Sequence, residues 1–150
     1  MSVKDEIKIS FPASSENECF ARTAVSAFIS RLDPHIDELA DIRTAVSEAV
    51  TNAVVHAYRE RGGMVYITVK IIRDRTVCIH IRDKGCGIED IEQAMTPLFT
   101  TAHNEERSGL GFAVMESFMD SLSVRSKKGK GTCVCMKKKL QEKEITDGFS

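Results

Sequence analysis

The chain has 150 residues, of which 42% are hydrophobic and 29% charged, and its net charge is -1 at pH 7. That size and balance predict one globular domain over 1–150 with a real core, and the near-zero charge gives no reason to expect direct nucleic acid or an anionic membrane as partner. Met1-Ser2-Val3-Lys4-Asp5-Glu6 is not an apolar leader, and no apolar run reaches membrane-spanning length. The five cysteines, Cys19, Cys78, Cys86, Cys133 and Cys135, are odd in number and lack a C-x-x-C pair. They suggest neither a disulfide framework nor a zinc site, and reduced thiols imply a cytoplasmic protein.

Alternation from Glu6 to Phe11, closed by Pro12, predicts a strand. Ser15-Glu16-Asn17-Glu18 has the spacing of a capping box and opens a helix to about Leu32, with Phe20, Ala24, Ala27, Phe28 and Leu32 as its core stripe. Arg22, Val25 and Ile29 form a second stripe on the far side, readable as a partner-facing surface or as scattered surface apolars. Asp33-Pro34 is a helix-start signal, and the helix it opens runs to about Glu60 before Gly62-Gly63. Met64–Ile72 and Thr76–Asp83 read as an antiparallel hairpin. A short helix spans about Glu89 to Met95. Periodicity then vanishes from Thr96 to Ser108, a length typical of functional lids. Gly109–Met119 reads as a helix packed through Phe112, Met115, Phe118 and Met119, and Ser121–Ser126 with Thr132–Lys139 as a closing hairpin. Lys127, Lys128, Lys130 and Lys137-Lys138-Lys139 read as solubilising charge on that hairpin.

The long central helix carries the first chemical signal. Ile42, Ala45, Val46, Ala49, Val50, Ala53, Val54 and Ala57 recur as one apolar arc. Glu48, Asn52 and His56 stack four residues apart along its edge, where an unpartnered carboxylate or amide is costly to bury. Downstream, Asp83-Lys84-Gly85-Cys86-Gly87 follows a strand directly, and its glycines allow close backbone approach. Arg107-Ser108-Gly109-Leu110-Gly111 opens a helix, whose free backbone N–H groups and positive dipole end form a natural phosphate cradle. Each signal is weak alone, but E-x-x-x-N, D-x-G-x-G, a long lid and G-x-G in that order are together a strong one.

On these residues the sequence resembles the GHKL superfamily of ATP-binding domains, which includes gyrase-type topoisomerases, heat-shock chaperones, histidine kinases and anti-sigma serine kinases. Within it the chain looks closest to the anti-sigma F family of spore-forming bacteria. The carrying segments are Asn17–Arg22, Ser47–Ala53, Pro97–Thr101 and Glu106–Phe112. The resemblance implies a GHKL (Bergerat) fold: an α/β two-layer sandwich of a mixed, mainly antiparallel sheet with helices on one face and an ATP lid. It also implies ATP and magnesium (Mg2+) as cofactors. Asn52 would ligate the metal, and Glu48 would orient or deprotonate an acceptor hydroxyl. Asp83 would accept a hydrogen bond from the adenine amino group, with Gly85, Gly87 and Thr132 beside it. Thr100 and Thr101 in the lid, with Arg107, Ser108, Gly109, Leu110 and Gly111, would contact the phosphates. Relatives often carry Lys directly after the paired threonines where this chain has Ala102, which puts one lid contact of the family in question.

The implied function is an anti-sigma factor that inhibits a sporulation sigma factor and uses ATP to phosphorylate a serine of an anti-anti-sigma protein. It would act as a homodimer, with Arg22 a candidate for protein contact. The competing class is a non-catalytic, ATP-dependent sigma-binding module. Glu48 argues against that class, because ATP binding alone needs no carboxylate beside the metal ligand.

Overall fold

The computed structural model describes residues 3–58, 62–95 and 111–142, with the side chains of Glu92 and Gln93 excepted. Five strands, β1 (Val3–Pro12), β2 (Met64–Ile72), β3 (Thr76–Asp83), β4 (Ser121–Lys127) and β5 (Gly131–Lys139), form one sheet in the order β1-β2-β3-β5-β4. All four pairings are antiparallel, so the expected mixed sheet narrows to a purely antiparallel one among the described residues. Among the described residues four α-helices accompany it: α1 (Ser15–Ile29), α2 (Ile36–Asn52), α3 (Ile91–Met95) and α4 (Gly111–Phe118).

Alternation along the strands decides which face the helices cover. Val65, Ile67 and Val69 on β2, Val77, Ile79 and Ile81 on β3, and Val134 and Met136 on β5 are buried in one cluster with the helices. α2 lies between α1 and α4 and supplies Ile42, Ala45, Val46, Ala49 and Val50 to that cluster. The opposite face carries Tyr66, Thr68, Lys70, His80, Arg82 and Cys133, all at least partly exposed. This is the two-layer α/β sandwich expected. No helix among the described residues is long and apolar enough to cross a membrane.

Three local expectations are corrected. The cap of α1 is Ser14, not Ser15: its Oγ accepts a hydrogen bond from the Asn17 N–H at 3.2 Å. The apolar face of α1 is rotated from the one expected: Phe28 is buried in the core as expected and Leu32 packs against it, but the rest of the stripe gives way to its neighbours. Val25 and Ile29 are 0% exposed in the core, whereas Phe20 is 57% exposed and Ala27 is exposed too, so Val25 and Ile29 are not a partner surface. The start of α2 lies two residues later than Pro34. Asp33 takes a left-handed conformation (φ 52°) that closes the 3-10 turn Ser30–Leu32, which leaves His35 as the cap. Glu38, itself buried, then accepts from the His35 N–H at 3.0 Å and from the Gln141 N–H at 2.8 Å. It thereby ties the helix start to the end of β5.

The rotated face has a measurable consequence. Ile29→Ala costs about 2–5 kcal/mol of stability by leaving a cavity, and Phe20→Ala stays within about ±0.5 kcal/mol. Urea denaturation of the two variants checks this.

On the outer face, burial, then the charges of Lys70 and Lys137, hold the His80 imidazole below its ordinary value. Burial, then the neighbouring Cys78, pushes the Cys135 thiol up to about 11.

Candidate functional site

The site is built where the C-terminal half of α2 meets the start of α4, the end of β3 and the β4–β5 turn. Glu48 and Asn52 are both half-buried on α2, on the flank that faces Gly111. A Cβ placed on Gly111 would lie 3.1 Å from both Asn52 side-chain heteroatoms and 3.3 Å from a Glu48 carboxyl oxygen. The first residue of α4 therefore sits against this pair with no room for a side chain to spare, and its backbone stands at the positive end of the helix dipole. Among the described residues the Asn52 amide makes no hydrogen bond of its own. Its oxygen remains available as a hard ligand.

Directly after Asn52 the helix widens into a π-helical turn over Ala53–Ala57, in which the Tyr58 N–H donates to the Ala53 carbonyl at 3.0 Å. The sequence predicts an uninterrupted helix here, and such turns are common at functional sites. The widened turn presents the Ala57 carbonyl to the Cys86 N–H at 2.9 Å, which docks the loop after β3 onto the helix. Gly85 is required there because a Cβ would strike that same carbonyl. Gly87 combines a φ of 76° with contact against the Lys127 carbonyl, so only glycine combines that conformation with that approach. Tyr58 donates to the Met64 carbonyl at 2.6 Å and accepts from the Lys84 N–H at 2.7 Å. Burial pushes its phenol above the ordinary value.

Asp83 ends β3 on the helix-covered side and is only 8% exposed. Its Oδ1 accepts from the Gly85 N–H at 2.9 Å and the Thr132 N–H at 3.3 Å. Among the described residues no hydrogen bond reaches the other carboxyl oxygen. Burial raises the carboxyl above its ordinary 3.8, and the two backbone N–H groups pull it partly back. Thr132 is buried, and its hydroxyl shares a 2.8 Å hydrogen bond with Ser126. Ser126 in turn accepts from the Ile88 N–H at 2.7 Å.

The structure thus brings Glu48, Asn52 and Gly111 together at one end, and Asp83, Gly85, Gly87 and Thr132 around the loop at the other. Thr100, Thr101, Arg107, Ser108, Gly109 and Leu110 lie outside the described residues, as does the lid they belong to. Tyr58 and Ser126 were missed in the sequence. A hydroxyl-bearing aromatic ending the Glu48 helix was the available signal for the first, whereas Ser126 gives none until β4 and β5 are paired. Arg22 lies on the α1 side, 3.7 Å from the Glu18 carboxylate, which also accepts from the Ser47 hydroxyl at 2.6 Å. It helps line a shallow cleft of about 490 Å³ with Ile36, Leu39, Arg43 and Glu48.

Residues 11–138 match the model of the histidine kinase-like ATPase domain family. An anti-sigma F factor of Clostridium acetobutylicum is 53% identical over 138 residues, covering 92% of this chain and 96% of the relative. One of Clostridium beijerinckii is 56% identical over 137 residues, covering 91% and 95%. The chain belongs to the anti-sigma F factor family. Among solved structures, the RsbU and RsbW domains of a Mycobacterium tuberculosis protein superpose with a TM-score of 0.67 at 19% identity, over 91% of this chain and 33% of that one. That likeness speaks for the fold alone. Family membership makes this an anti-sigma factor with a kinase-like, ATP-using domain.

Proposed function

We propose that the chain is an ATP- and magnesium-dependent protein serine kinase that also holds a sigma factor of sporulation, in the cytoplasm and as a homodimer. The observation that carries the kinase reading is the placement of Glu48 and Asn52 side by side against the first residue of α4. When bound, ATP supplies the phosphoryl group and magnesium neutralises charge on it. The residues present suit both. Asn52 has an uncommitted amide oxygen for a hard cation, and the Gly111 backbone approaches it without an intervening side chain. Glu48, one turn earlier, is placed to hold the acceptor hydroxyl and take its proton. Catalysis here is positioning and charge stabilisation rather than covalent chemistry.

At the other end, the open oxygen of Asp83 is the acceptor for an adenine amino group, and Thr132 with Ser126 fixes the loop beside it. Thr100, Thr101, Arg107, Ser108, Gly109 and Leu110 take the phosphate contacts. The acceptor is a small anti-anti-sigma protein, and the cleft between α1 and α2 is its approach to Glu48. Arg22 and the exposed Ile36 supply its charged and apolar contacts.

Asp83→Asn tests the nucleotide site apart from the fold. The amide keeps an oxygen for the Gly85 and Thr132 N–H groups but turns a donor toward adenine. ATP binding weakens by about 1.5–3 kcal/mol, or about tenfold to a hundredfold. Stability moves the other way. An acid whose folded pKa is raised is unpenalised below its unfolded value of 3.8 and loses stability as pH rises through the folded value. The variant removes that loss, so its melting midpoint relative to wild type rises across that window and stays higher at pH 7. Calorimetric ATP titration and melting curves at pH 3 and pH 7 read the two effects. Unchanged ATP affinity in a folded variant would remove Asp83 from the nucleotide site.

A further inference from the structure

We propose that Cys78, His80 and Cys135 form a zinc-binding site on the outer face of the sheet, opposite the face that carries Glu48 and Asn52. Strand geometry brings the three together. Cys78 and His80 are two apart on β3 and therefore share a face. Cys135 on β5 lies directly opposite His80 in the register. The Cys78 Sγ is 3.3 Å from the His80 Nε2 and 3.9 Å from the Cys135 Sγ, and the Cys135 Sγ is 3.7 Å from the same Nε2.

These separations match the edges of a tetrahedral zinc site. Bonds of about 2.3 Å to sulfur and about 2.0–2.1 Å to nitrogen set the S···S edge at about 3.8 Å and the S···N edge at about 3.6 Å. The donor set also selects the metal, since two thiols and an imidazole suit zinc and not magnesium or calcium. On binding, two Zn–S bonds form and the two thiol protons leave to solvent, while neutral His80 gives its Nε2 lone pair. Two thiolates then cancel the charge of the ion. Lys70 and Lys137 flank Cys78 on the neighbouring strands. Three protein donors leave the fourth position for water or an added ligand. The ion would clip β3 to β5 through residues 57 apart in sequence, which is why cysteine spacing alone gives no sign of it.

The test is titration of the full chain with cobalt(II), then zinc(II), under a phosphine reductant. Expected is one cobalt per chain with thiolate-to-cobalt charge-transfer absorption, displaced by zinc, and an unfolding midpoint several degrees higher with zinc. Cys135→Ser and His80→Gln, both at partly exposed positions, keep the wild-type circular dichroism and weaken binding more than about tenfold. Cys19→Ser and Cys86→Ser bind as wild type does. Absence of the charge-transfer band, or cobalt bound equally well by Cys135→Ser, overturns the proposal. So does a Cys78–Cys135 disulfide found by thiol trapping as the form present in cells.

Discussion

Glu48→Ala lowers the rate of phosphoryl transfer to the acceptor protein by about a hundredfold to ten-thousandfold, the range for loss of a positioned general base, and leaves ATP affinity unchanged. The separation of the two effects follows from placement. Glu48 stands one turn before Asn52 on the same flank and also reaches the cleft between α1 and α2, the proposed approach of the acceptor. In the proposed mechanism its carboxylate serves the incoming hydroxyl rather than the nucleotide. Far-UV circular dichroism stays that of wild type, because Glu48 is outside the apolar cluster that α2 supplies. Single-turnover transfer and calorimetric ATP titration on one preparation give both numbers. A Glu48→Ala variant that still transfers at the wild-type rate would remove Glu48 as the general base.

Asn52→Ala has the opposite signature. ATP affinity in magnesium falls by more than about tenfold, and the affinity left in excess chelator is the same for variant and wild type. Only the metal-dependent part of binding passes through the amide oxygen. If the loss persists undiminished in chelator, Asn52 contacts the nucleotide itself and the metal assignment fails. The two variants together split the site into a base and a ligand, which no single substitution can do.

Much of this was legible in the sequence because its signals are local. β2 and β3 were bounded by a hairpin whose alternation and turn lie within one stretch, and both strands end where expected. Glu48 and Asn52 stood out because four-residue spacing on a helix is itself a spatial statement. The failures have equally definite causes. α1 presents two stripes at helical spacing; the core takes Ala21, Val25 and Ile29 together with Phe28 and leaves Phe20 outside, a choice only tertiary packing makes. Asp33-Pro34 looked like a helix start, but the left-handed Asp33 belongs to the preceding turn. The π-turn after Asn52 and the Cys78–His80–Cys135 cluster depend on partners far along the chain, so no window could contain them.

The most direct measurement incubates the chain with γ-labelled ATP, magnesium, a cognate anti-anti-sigma protein and a sigma factor, followed by phosphoamino-acid analysis of the labelled band. The account predicts label on a serine of the acceptor, none on the sigma factor, and at least about a hundredfold slower labelling when Glu48→Ala replaces wild type. A wild-type chain that binds ATP and captures the sigma factor yet leaves the acceptor unlabelled would contradict it.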